Sequence, residues 1–166
     1  MTLERLRAGH AEALPGFERE NREYFARAVP DRGDAYFAES TDRHHALLAE
    51  RAAGIRHFHV VLDADGQLVG RVNLVDVADG TAELGYRVAE RAAGRGVATA
   101  AVRLVCEKAA TEYGLRALTA VTTLDNAASR AVPRRCGFTE AGPLAVDSRP
   151  GLRHRRELLL QGARRP

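Results

Sequence analysis

The stretch Leu84-Gly-Tyr-Arg-Val-Ala-Glu-Arg-Ala-Ala-Gly-Arg-Gly-Val-Ala-Thr99 decides the fold. Its opening residues close a run, Ala82–Val88, whose composition suits a strand. Gly94-Arg-Gly96 then opens a helix from about Val97 to Tyr113, which Gly114 ends as a C-cap residue. Val97, Ala101, Leu104, Val105 and Ala109 fall near one side of it at 3.6-residue spacing. A strand, a glycine-rich turn and a helix start are what phosphate binding requires. Glycine lets backbone approach an anion, the first helical amides lack intrahelical partners, and the helix dipole favours negative charge there. Gly94, Gly96 and the amides of Arg95, Val97, Ala98 and Thr99 supply those parts.

Outward from this turn the grammar is mixed. Thr2–Arg7 alternates apolar and charged residues, as a first strand would. Ala11 to about Val29 and Asp34 to Ala53 read as charged helices, broken at Val29-Pro-Asp-Arg-Gly33. Phe58–Leu62 and Leu68–Val77 read as strands joined by Asp63-Ala-Asp-Gly66, and Asp79-Gly80 turns the chain into the strand Ala82–Val88. Leu115–Thr122 is expected as a strand and Asn126 to about Cys136 as a short helix. Phe138–Ala141 and Arg156–Leu160 are expected as last strands, separated by an irregular Pro/Gly-rich stretch. The sum is an α+β fold with a mixed, mostly antiparallel sheet and helices on its faces.

The 166 residues, 45% hydrophobic, are about the size of one domain. No run approaches the roughly 20 apolar residues of a membrane helix, and charges interrupt the N-terminus where a signal peptide would be apolar. A cytoplasmic protein without a membrane partner is expected. Lys108 is the one lysine among 25 basic residues. Basic and acidic residues are interspersed, so the net charge of +3 gives no reason to expect a nucleic-acid partner. The arginine-rich run Arg149–Arg156 is the local exception and is read as a solvated strand and loop. Cys106 and Cys136 lack metal or redox spacing and are expected to be small buried thiols in a reducing compartment. His44, His45, His57 and His59 lack an accompanying Cys or acid cluster, so no metal is expected.

A dinucleotide site would need a third glycine where Thr99 stands and an acid at the tip of the next strand, which instead reads Val-Thr-Thr. The sequence resembles the GNAT N-acetyltransferases. Their acyl-CoA signature, Gln/Arg-x-x-Gly-x-Gly/Ala, is matched by Ala93-Gly-Arg-Gly-Val-Ala98 except at its first position, where Ala93 stands. A second signature of the RimJ/RimL type is Asn-x-x-Ser and, eight residues on, Gly-Phe. Here it reads Asn126-Ala-Ala-Ser129 and then Gly137-Phe138. The resemblance covers about Leu68 to Ala141. It implies a GNAT fold over one domain, residues 1–166, with six to seven strands, splayed central strands and about four flanking helices.

The resemblance also implies a chemistry. Acetyl-CoA is the cosubstrate and a primary amine the acceptor, a protein N-terminal α-amine (ribosomal-protein-alanine type) leading over a small amine. The pantetheine arm borrows backbone groups of Tyr86, Arg87 and Val88, and an amide there faces the growing oxyanion. Asn126 both caps its helix and hydrogen-bonds the pantetheine amide, against capping alone. Arg95, Arg130 and Arg134 are candidates for the phosphates. Glu83 matches the general-base position of histone-type relatives, against an ordinary exposed strand glutamate. A base helps because deprotonating a lysine near pH 7.4 costs about 4 kcal/mol and an α-amine under about 1 kcal/mol. Pro133 stands where many relatives have a tyrosine acid, so the Ser129 hydroxyl is the implied donor to the leaving thiolate. A helix kink or an early 3₁₀ ending is expected at Pro133. The family's habit leaves a homodimer open. A non-catalytic acyl-CoA-binding module is the alternative.

Overall fold

Hydrophobic alternation and two Asp-Gly turns build most of a seven-stranded sheet in this computed structural model, which describes residues 1–159. The strands are β1 (Thr2–Arg5), β2 (His57–Leu62), β3 (Leu68–Ala78), β4 (Thr81–Val88), β5 (Ala117–Thr123), β6 (Thr139–Val146) and β7 (Arg149–Glu157). Their order is β1-β2-β3-β4-β5-β7-β6. The helices are α1 (Ala13–Glu20), α2 (Arg22–Ala26), α3 (Asp34–Ala38), α4 (Ser40–Ala52), α5 (Val97–Thr111) and α6 (Ala127–Arg135). The chain falls into two compact units.

The first unit comprises Met1–Asn73 and Tyr86–Ala98. Its core joins Leu6, Leu14, Phe17, Phe25, Phe58, Val60, Leu68 and Ala89. The fully or nearly fully buried run His57–Val61 explains why β2 reads as a continuous apolar stretch. Where two helices were expected up to Ala53, four form. Between α1 and α2 the side-chain amide of Asn21 donates to the Phe17 carbonyl at 2.9 Å, while its Oδ1 accepts the Glu90 amide at 3.0 Å. That long-range bond holds Asn21 off helical geometry, at φ −103° and ψ 10°. Glu39 makes a similar break between α3 and α4.

The second unit comprises Leu74–Gly85 and, among the described residues, 99–159. In it α5 buries Ala101, Val102, Val105, Cys106 and Ala109, close to the expected stripe, whereas Leu104 is 38% exposed. Gly114 takes a left-handed φ of 63° just past the helix. The C-terminal part differs from expectation. The Pro/Gly-rich stretch is not irregular: β6 and β7 form one long hairpin around Asp147 and Ser148, both left-handed. Its bulge falls between Glu140 and Pro143, and β6 is an edge strand, where proline is tolerated. Leu160, the end of the expected last strand, lies outside the described residues.

Candidate functional site

The parallel ladder between β4 and β5 has four pairs, from Thr81–Ala117 to Leu84–Ala120. β4 extends to Val88 and β5 to Thr123. β5 keeps its other neighbour to the end, through Val121–Arg153, Thr122–Leu152 and Thr123–Gly151.

In the first unit, the stretch after β4 passes through a 3₁₀ turn at Glu90–Ala92 and reaches Gly94 and Gly96, at φ 71° and 76°. Both glycines sit in the left-handed region that side chains disfavour, and nothing lies within 4 Å of a Cβ added at either. They are therefore required by backbone shape and not by crowding. Ala93, Gly94, Arg95 and Gly96 are exposed; Val97, Ala98 and Thr99 are half-buried. The amides of Val97, Ala98 and Thr99 open α5, where no carbonyl of the helix lies four residues before them. A row of amides at a helix start suits an anion.

Two further residues of this unit escaped sequence reasoning. Glu18, on α1, is 3% exposed. It forms an ion pair with Arg71 of β3 at 2.9 Å, off the hydrogen-bond direction, and accepts from Arg87 of β4 at 3.3 Å. Arg71 lies over Phe58 and Arg87 over Phe25, with guanidinium-to-centroid distances of 5.4 and 5.0 Å. Burial, then the charges of Arg71 and Arg32, pull the Arg87 pKa down to about 10. Burial also lowers that of Arg71. Three charges scattered at positions 18, 71 and 87 leave no local pattern in a sequence; only burial reveals them.

In the second unit, Asn126 caps α6: its Oδ1 accepts the Ser129 amide. Ser129 is half-buried, as is Arg130, whose guanidinium donates to the Leu124 carbonyl at 3.2 Å. Arg134 is exposed. Pro133 lies inside α6, which ends two residues later. The ending is a Schellman motif: Phe138 N–H donates to the Pro133 carbonyl at 3.0 Å and Gly137 N–H to Arg134 at 3.3 Å, with Gly137 at φ 80°. The Gly-Phe pair is thus a helix stop with a buried anchor, since Phe138 is 3% exposed. Glu83 is exposed on β4, opposite Thr119.

Cys106 and Cys136 are buried and not bonded to one another. Burial raises the Cys106 thiol to about 11 and also raises Cys136. Neither is a thiolate near neutral pH. His59 is fully buried, with Nδ1 3.3 Å from the Val72 carbonyl, and His57 Nδ1 lies 3.1 Å from Arg5. Among the described residues no group of His, Cys, Asp and Glu could hold a metal ion, and no helix is long and apolar enough to cross a membrane. The arginine-rich run forms β7. There Arg149 pairs with Asp125, Arg155 with Glu157 at 2.6 Å, and Arg156 donates to the Cys136 carbonyl at 2.6 Å.

Residues 1–139 match the model of the Acetyltransferase (GNAT) domain. YdaF of Bacillus subtilis (strain 168), provisionally named a ribosomal N-acetyltransferase, is 39% identical over 80 residues; the match spans 47% of this chain and 44% of that protein. YjcK of the same strain, provisionally named an N-acetyltransferase, is 31% identical over 138 residues, 80% of this chain and 76% of that one. Among solved structures, Mycobacterium smegmatis RimJ in complex with CoA-disulfide superposes with a TM-score of 0.83 at 26% identity, over 93% of this chain and 80% of that one.

Proposed function

The chain belongs to the GNAT acetyltransferase family, and from that premise we propose that it moves an acetyl group from acetyl-CoA to a primary amine by direct attack. The observation that carries the proposal is the start of α5 at Val97–Thr99, whose first amides lack partners within the helix, behind left-handed Gly94 and Gly96. They fit a pyrophosphate, and the departure at Ala93 leaves them intact because the binding groups are backbone.

Acetyl-CoA supplies the thioester. Toward it, the amides of Gly94 through Thr99 hold the diphosphate, with Arg95 and Arg130 as added charge. Backbone groups of Tyr86, Arg87 and Val88 orient the pantetheine, and one of their amides donates to the oxygen that gains charge. Asn126, its Oδ1 occupied by the cap, keeps Nδ2 to donate to a pantetheine carbonyl. Glu83 accepts the amine's proton through water. As the C–N bond forms and the C–S bond breaks, the Ser129 hydroxyl donates to the leaving sulfur. The raised, buried thiols favour this direct route over an acyl-cysteine.

A protein N-terminal α-amine is the acceptor class we favour, supported by the name of YdaF and by the small cost of deprotonating an α-amine. The test is a thermal shift with acetyl-CoA, then turnover with a panel of amines that includes N-terminal peptides. Stabilisation by acetyl-CoA with intersecting double-reciprocal lines is expected. Stabilisation without turnover on any amine would leave a binding module instead.

A further inference from the structure

The ion cluster around Glu18 is unbalanced. Two guanidinium groups, Arg71 and Arg87, share one buried carboxylate. Arg71 is 6% exposed and its Nε has no hydrogen-bond partner. Arg32, stacked over Tyr36 at 4.7 Å, adds a third positive charge that both arginines feel. By contrast, Arg22 is answered twice, by Asp31 at 2.7 Å and Asp34 at 2.9 Å. The four arginines thus face three carboxylates, and the excess charge lies at the Arg71–Arg87–Arg32 end.

Arg87 and Arg32 line a cleft of the first unit whose walls also include Arg22, Glu18, Asp31 and Phe25. Apolar rings beside buried arginines make a poorly hydrated place, where a second anion interacts strongly. A polycation would meet there the guanidinium groups of Arg22, Arg32 and Arg87, which outnumber the carboxylates of Glu18 and Asp31. Arg87 also ties the cleft to the chemistry, because its backbone lies in the strand segment assigned above to the thioester.

We propose that this cleft selects acceptors carrying a carboxylate close to the reactive amine, with Arg87 and Arg32 as the residues that recognise it. The inference rests on the acetyltransferase reading but is tested separately from it. The carboxylate could belong to an acidic residue near a peptide N-terminus or to a free amino acid, and the two sources share the same recognition.

The experiment titrates CoA-saturated protein with matched ligands by calorimetry. The ligands are peptides beginning Ala-Glu and Ala-Gln, free glutamate and glutamine, and spermidine. The Glu-bearing member of at least one pair is expected to bind about 10-fold or more tightly than its amide, as a charge-assisted hydrogen bond would give. Arg32→Gln, at an exposed position that leaves the core untouched, and Arg87→Gln should each shrink that ratio toward one. In turnover the change for Arg32→Gln should fall on KM and not on kcat. Preference for Ala-Glu alone assigns the peptide source, and preference for free glutamate the small-molecule source. Equal binding of acid and amide in both pairs, or tighter binding of spermidine, would overturn the proposal even if every amine is acetylated. Absence of turnover on all amines would count against the catalytic reading and leave the binding comparison standing.

Discussion

Ser129 donates its backbone N–H to Oδ1 of Asn126 at 3.0 Å, so one side chain closes the start of α6 and fixes the residue assigned to the leaving sulfur. The two proposed roles of Asn126 can be separated, because the cap uses the oxygen and the cofactor contact would use the nitrogen. Asn126→Asp should retain the cap and the stability, yet weaken CoA binding. Asn126→Ala should lose about 1 kcal/mol of stability as well. Urea denaturation and CoA titration of the two variants distinguish these outcomes.

Asn21 is 4% exposed and its Oδ1 accepts the Glu90 amide, 69 positions away. Asn21→Leu is close in size but leaves that amide without its partner. A loss of about 1–3 kcal/mol is expected in chemical denaturation, because an unpaired donor removed from water keeps its full desolvation cost. A variant as stable as the parent would mean that water or another acceptor replaces the side chain.

Glu18→Gln removes the one carboxylate between Arg71 and Arg87. Breaking a buried pair from one side leaves uncompensated charge, and a destabilisation of about 3–5 kcal/mol is expected. The same measurement on Arg43→Gln, whose pair with Glu39 is exposed, should show less than about 1 kcal/mol.

Four histidines, His10, His44, His57 and His154, have pKa values below the ordinary imidazole value, with burial the largest cause in each. The unfolded chain therefore binds more protons than the folded one once pH drops below about 6.5. Stability should be fully present above that pH, and fall as pH is lowered from about 6.5 toward the depressed native values. Denaturation free energies at pH 7.5 and 5.5 check the sign. His44→Leu should reduce the slope.

Glu83→Gln and Ser129→Ala test the proton path. Each should lower kcat with little change in CoA affinity. For Glu83→Gln the loss should be about 100-fold, and larger with a lysine-like amine than with an α-amine, because more of the proton's removal must be assisted. Turnover unchanged in both variants would remove these two assignments.

The parts legible in the sequence were those fixed by neighbours in the chain. The start of α5 and the left-handed turn at Gly94–Gly96 follow from a few adjacent residues. So do the Asp63–Gly66 turn, closed by the Asp63 carbonyl and side chain, and the Asn126 cap. What was hidden depends on distant partners. The break at Asn21 is set by Glu90, and the Glu18 cluster by residues on β3 and β4. The β6–β7 hairpin was hidden for a different reason. Its turn uses Asp147 and Ser148 in place of glycine, and Pro143 looks like a strand breaker until the edge position of β6 and the bulge are known.

The proposed acetyl transfer depends first on the proposed anion site, and amide chemical shifts report on that site directly. In a ¹⁵N–¹H titration with CoA, the amides of Gly94 through Thr99 should show the largest shifts, downfield as hydrogen bonds to phosphate oxygens form. CoA binding that leaves those six amides unmoved would contradict the assignment.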